Sequence, residues 1–166
     1  MNPPVLFAVL ILVFIVVQRL SELVIAKRNT AALIKRGAVE HGAQHYPFMV
    51  ILHTAWVLAL IVLGYDKQVI LAWLGLYLIL QFFRVWILTT LGSRWTTRII
   101  ILNEPLVIGG PFKYFKHPNY MLVVAEIFVT PMIFGLWEIA ILFSILNAAM
   151  LYVRIRMEEK ALAPLR

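Results

Sequence analysis

"YMLVVAEIFVTPMIFGLWEIAILFSILNAAMLYVRIR", residues 120–156, is the stretch on which the fold turns. It is apolar enough to lie in lipid, yet too long for one crossing, since about 20 helical residues span the ~30 Å hydrocarbon core. Pro131 removes a helical hydrogen bond, and Gly135 frees the backbone for a reversal just beyond it. The stretch therefore reads as a helical hairpin, two helices joined by a tight turn at one membrane face.

The rest of the chain extends that reading. Of its 166 residues, 63% are hydrophobic and only 14% are charged, against about 45–50% apolar in an ordinary soluble domain. Apolar runs over residues 4–26, 46–63 and 69–91 add three helices, for about five transmembrane spans in one all-α domain covering 1–166. The first run lacks a basic leader and a small-residue cleavage site, so it reads as a retained helix and not a signal peptide. Its polar sequel, "KRNTAALIKRGAVEHGAQHYP" (27–47), has helical character over 30–36 and a break at Gly37. Cysteine is absent, which excludes disulfides, thiolate nucleophiles and Cys-ligated zinc.

The net charge of +7 points, in so apolar a chain, to loops facing anionic lipid headgroups and not to nucleic acid. Lys27, Arg28, Lys35 and Arg36 lie in the first connector, and Arg94, Arg98, Lys113 and Lys116 in the third. Arg154, Arg156, Lys160 and Arg166 lie near the end, while Lys67 stands alone in the "GYDKQ" turn. Five spans put the three rich segments on one side. The excess of positive charge makes that side cytoplasmic, with the N-terminus outside and the C-terminus inside, as in a bacterial inner membrane.

Ionisable groups within lipid are costly and mark function by default. Arg19, Glu22, His53, Gln81, Arg84, Glu126 and Asn147 all fall toward the cytoplasmic ends of their helices, a depth that predicts a wet cavity open to that side. Arg19 and Glu22, three apart, can also pair with each other. His53 is expected to make an interhelical hydrogen bond. Asn147, Arg154 and Glu158 share one helical face, and Tyr152, Arg156 and Glu159 share a neighbouring one.

The long third connector holds "GGPFKYFKHPNY", residues 109–120. Two glycines and Pro111 turn the chain. Pro118 biases His117 away from the helical region and suits the first turn of the next helix. Free amides at that turn can meet an anion or an adenine edge, and the aromatic rings can stack on a base or sit over a cation. A mere connector needs none of this.

This motif, with Glu126 in the next helix and "RIRMEEKAL" (154–162) at the end, resembles the isoprenylcysteine carboxyl methyltransferase family. The likeness is strongest over 84–162, where "RVWILTTLGSRWTTRIIIL" (84–102) resembles the family's approach segment, and "KRNTAALIKRGAVEHGAQHYPFMVILHTAW" (27–56) resembles the first half of a bacterial subgroup. The resemblance implies S-adenosylmethionine as methyl donor, held by Tyr114, His117, Pro118, Asn119, Tyr120, Glu158 and Glu159, with Glu126 in the same pocket. It implies methyl transfer to a lipophilic acceptor entering from the bilayer, with Arg154 or Arg156 orienting the acceptor and His117 acting as cofactor contact or base. The chain is shorter than the eukaryotic enzymes at both ends. That favours polyketide-derived phenols or enols over an isoprenylcysteine carboxylate.

Rival readings remain at the level of sequence. Within enzymes, phosphatidylethanolamine N-methyltransferases and NADPH-dependent membrane reductases of the sterol-reductase type share a related motif, and a different class is a non-catalytic membrane assembly or transport subunit. No G-x-G-x-x-G follows a strand, which excludes a soluble Rossmann methyltransferase. His41 and His45 are four apart, but Gly42 and Pro47 break any helix there, so no metal site is expected.

Overall fold

The computed structural model describes residues 2–163, so Arg166 of the basic C-terminal group lies outside the described residues. Five α-helices account for most of the chain: α1 (Pro3–Lys35), α2 (Tyr46–Gly64), α3 (Leu71–Leu91), α4 (Pro118–Met132) and α5 (Trp137–Leu162). Four of them, all but α4, are long and apolar enough to cross a membrane, which makes this an integral membrane protein. Side chains such as Leu10, Val13 and Val17 point outward and stay exposed, as suits a bundle solvated by lipid.

The expectation of about five spans is corrected at α4. Its 15 residues extend about 22 Å, short of the ~30 Å core. The helix starts at Pro118, carries Pro131 inside its last turn and ends at Met132. One face of it, with Tyr120, Leu122, Glu126, Ile127, Val129 and Thr130, is buried among its neighbours, while Met121, Val124 and Phe128 stay exposed on the other. The hairpin itself stands: Gly135 takes φ +67° between α4 and α5, a left-handed conformation that suits glycine.

A second difference concerns α1. It runs on to Lys35, nine residues past the expected exit at Ala26, because nothing breaks it before Gly37, which sits at φ +90°. At 33 residues it reaches about 50 Å and projects beyond the bundle. A third difference lies in the two polar connectors, which join as an antiparallel two-stranded ribbon, β1 (Val39–His41) with β2 (Ile99–Ile101), in register Val39↔Ile101 and His41↔Ile99. Arg98 pins the ribbon by donating to both oxygens of Glu40 at 2.8 and 3.0 Å and by lying 4.2 Å over the Tyr46 ring.

The ribbon places the first and third connectors at one end of the bundle, where the C-terminal part of α5 also packs. The two short turns meet at the other end, Ile70 N–H donating to the Ile133 carbonyl at 2.8 Å. The basic segments therefore share one face, as the charge pattern predicts. Between the ends, Trp56, Leu60, Tyr77, Ile127 and Ile133 form the apolar core.

Candidate functional site

Most of the polar residues in the spans turn toward one another. Glu126 is 0% exposed and Arg84 4%. The Arg84 guanidinium grips Glu126 with two nitrogens, Nε at 2.8 Å and Nη2, and reaches Glu22 at 3.1 Å through Nη1. Arg19 bridges the same two carboxylates at 3.1 and 2.8 Å. Gln81 donates to Glu126 at 3.1 Å, and Gln18 donates to Glu22 and Gln81 while accepting from Tyr77. Two cations and two anions thus neutralise each other, with amides and a phenol satisfying the remaining lone pairs. In place of the expected wet cavity these groups form an ion cluster, of which only Arg19 and Glu22 reach the apolar groove described below. Burial in lipid penalises any unpaired charge and favours mutual pairing.

A different arrangement occupies the end of the bundle that bears the connectors. A half-open cavity of about 250 Å³ is walled by β2, the "HPNY" turn and the end of α5. Tyr120 accepts from Arg154 Nε at 2.9 Å and donates to Glu158 Oε2. His117 stacks on Tyr120, 5.6 Å between centroids at 25°. Its Nδ1 lies 3.8 Å from the other Glu158 oxygen. Its Nε2 is buried without a hydrogen-bond partner, with Glu159 at 3.5 Å. Lys116 engages Glu159 at the rim. His117 sits at φ −134°, ψ 61° immediately before helical Pro118, the departure from helix that the following proline imposes.

The residues drawn from the sequence divide clearly. His117, Asn119, Tyr120, Arg154 and Glu158 line this cavity. Pro118 is buried behind it as the first residue of α4, and Glu159 stands at the rim. Tyr114 is 69% exposed on the outer side of the Gly110–Lys113 turn, with Lys113 over its ring. Arg156 is likewise outside, donating to Tyr152 at 3.3 Å. Two residues along α5 is about 200°, so Arg154 and Arg156 cannot share a face. Glu126 belongs to the ion cluster and does not line the cavity.

Sequence reading did not single out the wall opposite. Trp95, Ile99–Ile101 and Phe112 supply apolar and aromatic surface. The cations Arg94, Arg98 and Lys116 face it, but each is paired, with Glu104, Glu40 and Glu159 respectively. With Arg154 and Glu158 included, four lining cations meet four carboxylates, and since Glu104 also pairs with Arg36 the surroundings keep only a slight positive excess. The β-branched run Ile99–Ile101 was the available signal for β2 as a wall.

Arg154 also backs onto the wall of a second cavity. An apolar groove of about 260 Å³ runs between α1 and α2, lined by residues including Val16, Leu20, Leu23, Met49, His53 and Trp56. Arg154 Nη1 meets Met49 Sδ at 2.7 Å, and Nη2 donates to the Thr97 carbonyl at 2.6 Å. Both of those residues line the groove. One buried guanidinium therefore separates a polar chamber from an apolar one.

A membrane-embedded helical bundle with a polar chamber built from an aromatic His-Pro turn and a terminal Arg/Glu helix defines a class, and similarity to known proteins identifies it. Residues 73–164 match the model of the isoprenylcysteine carboxyl methyltransferase (ICMT) family. A Bacillus subtilis (strain 168) protein, "Uncharacterized protein YpbQ", is 40% identical over 159 residues, covering 92% of this chain and 95% of that protein. An uncharacterized Haemophilus influenzae protein is 29% identical over 157 residues, covering 89% and 90%. No solved structure matches. The chain belongs to the isoprenylcysteine carboxyl methyltransferase family.

Proposed function

We propose that this protein is an S-adenosylmethionine-dependent methyltransferase that O-methylates a lipophilic acceptor, with the polar chamber holding the donor and the apolar groove the acceptor. The observation that carries the reading is the position of Arg154, which lines the polar chamber and is bonded from behind to Met49 and Thr97 of the groove wall. Family membership points to the same chemistry.

The chamber's donors and acceptors fit S-adenosylmethionine. Glu158 uses Oε2 on Tyr120 and has Oε1 left for an ammonium. The orphaned Nε2 of His117 needs a polar partner, since a buried unsatisfied group is costly. Phe112, Trp95 and the isoleucines of β2 offer surface for a base. The nearly balanced charge suits a ligand with one carboxylate and two cationic centres better than a polyanion such as NADPH. That speaks against the reductase reading. Two built cavities meeting at one arginine speak against a non-catalytic subunit.

S-adenosylmethionine supplies a methyl group made electrophilic by its positive sulfur. The protein's own task is to align and desolvate. Tyr120 and Thr97 hold the Arg154 guanidinium in place, where it orients the acceptor oxygen as it leaves the groove. Positioning of this kind can account for ~7–11 kcal/mol of a barrier. The groove opens between α1 and α2, so a lipid enters sideways while the donor arrives from the end rich in Lys and Arg. By the charge rule that end is the cytoplasm. Polyketide-derived phenols or enols are the favoured acceptors.

Calorimetric titration of S-adenosylmethionine and S-adenosylhomocysteine into detergent-purified protein tests the proposal. Micromolar-range binding is expected, weakened about tenfold or more in Glu158→Ala and His117→Ala while both remain folded. A folded preparation that binds neither ligand, with lipid added, removes the proposal and makes NADPH the next ligand to try.

A further inference from the structure

His53 is the one ionisable side chain of the apolar groove that stands outside the ion cluster and the Arg154 contacts, apart from the phenol of Tyr46. The sequence predicts an interhelical bond for it; the structure gives it one to its own helix. Nδ1 lies 2.9 Å from the carbonyl of Met49, one turn back. A carbonyl can only accept, so Nδ1 carries the hydrogen and the neutral ring presents Nε2 as a lone pair. Among the described residues Nε2 has no hydrogen-bond partner.

The location is specific. Met49, whose carbonyl fixes the tautomer, is the residue whose sulfur touches Arg154 at 2.7 Å. His53 is thus one helical turn deeper in the groove than the arginine that joins the two cavities. Met49, His53 and Trp56 stand at i, i+4 and i+7 on one face of α2. Trp56 is 0% exposed, and its indole N–H is buried without a partner. An apolar groove that presents one lone pair close to a buried arginine suits a ligand with a polar head. The other charged groups of its wall, Arg19 and Glu22 on α1, are committed to each other and to Glu126.

From this geometry we infer that His53 is the proton acceptor for the hydroxyl group methylated in the groove. The inference rests on the methyltransferase reading above. The hydroxyl proton passes to Nε2 as the acceptor oxygen bonds to the methyl carbon. The carbon–sulfur bond breaks, its electron pair stays on sulfur, and S-adenosylhomocysteine leaves as a neutral thioether. The imidazolium returns its proton to water when the product departs. Such a base is needed by a phenol or enol and is superfluous for a carboxylate, which is already ionised at neutral pH. His117, stacked in the other chamber, is left to the donor.

The test uses pentadecylresorcinol, its dimethyl ether and palmitate as probes, with wild type, His53→Ala and His53→Gln. Wild type should methylate the resorcinol, and both variants should lose kcat by about 10²-fold or more, the usual worth of a general base. Glutamine still accepts a hydrogen bond but cannot take a proton. Binding measured without donor should therefore separate the variants. Wild type and His53→Gln should prefer the resorcinol over its dimethyl ether by about tenfold, and His53→Ala should not. Retained turnover in either variant, or methylation of palmitate and not of the resorcinol, overturns the inference. So does a wild type that binds S-adenosylmethionine but methylates neither probe, an outcome that leaves the methyltransferase reading standing. A wild type that does not bind the donor removes both.

Discussion

The ion cluster of α1, α3 and α4 and the chamber at the end of α5 use the same residue types to opposite ends. In the cluster, Arg19, Arg84, Glu22 and Glu126 exhaust one another, and little of them faces open space. In the chamber, Arg154, Tyr120 and Glu158 form a chain whose links leave capacity unused, with a free Glu158 oxygen beside the cavity and a His117 nitrogen that makes no hydrogen bond among the described residues. A charge in lipid is thus not evidence of a ligand until its partners are counted. Where every lone pair and N–H is satisfied from within, the group holds helices together. Where one is left over beside a cavity, it is there for something else.

The largest effect that sharpens this contrast is at Glu126. Glu126→Ala leaves two guanidiniums to share the single carboxylate of Glu22, and removing one partner of a buried pair costs ~3–5 kcal/mol. Thermal unfolding in detergent should show a large loss of stability. Arg84→Met combined with Glu126→Leu should recover much of it, because Arg19 and Glu22 still pair and the apolar replacements fill similar volume. A stable Glu126→Ala protein that has lost only donor affinity would put Glu126 in the ligand pocket and erase the contrast.

Arg154 comes next. Lysine keeps the charge but loses the planar fork that serves Tyr120 and Thr97 together. Arg154→Lys is expected to lower turnover about 10²-fold, since small misplacements in an aligned site cost that much. Its melting temperature should stay near that of wild type. Equal loss of stability and turnover would mean that Arg154 is another structural ion. Glu158→Ala should cost less, removing a hydrogen bond to a charged group worth about 1.5–3 kcal/mol. S-adenosylmethionine binding should weaken ~10–100-fold by calorimetry, with the fold intact because the side chain is partly exposed. Unchanged affinity would displace the ammonium from Glu158.

How much of this was legible follows from the same distinction. The hairpin was readable because Pro131 and Gly135 punctuate an apolar run, a local signal. The site on α5 was readable because 147, 154 and 158 fall on one face of one helix, and Asn147 and Arg154 are indeed buried. The ion cluster was not, because its members come from three helices, and only the Arg19–Glu22 pair is local in sequence. Depth alone placed the seven polar residues together and could not say whether they faced one another or a void. The ribbon was missed because three-residue strands give too little alternation to read. Its pairing depends on bringing residue 40 to residue 100, which only the bundle can do. Arg156 and Tyr114 were drawn in by motif likeness, where helical phase and turn geometry send them outward.

The smallest effect lies in a third kind of pairing, at the exposed rim. Glu104 receives Arg36 from the end of α1 and Arg94 from beyond α3, tying the chamber's outer loop to two helices. The hydrogen bond from Arg36 is the main influence holding its carboxyl below the usual value; desolvation opposes it, and the charges of Arg36 and Arg94 add to the lowering. A lowered folded-state pKa means that this contribution is complete above the ordinary carboxylate value of about 4.3. It is lost as pH falls through the lower folded value. Exposed pairs are worth little, so only the loop should respond. Glu104→Gln should raise amide exchange around residues 102–108 modestly at neutral pH, after correction for intrinsic rates, and the gap from wild type should close in strong acid. A gap that persists in acid would show that packing and not charge holds the loop. The rim would then belong with neither the cluster nor the chamber, since both depend on ionised carboxylates.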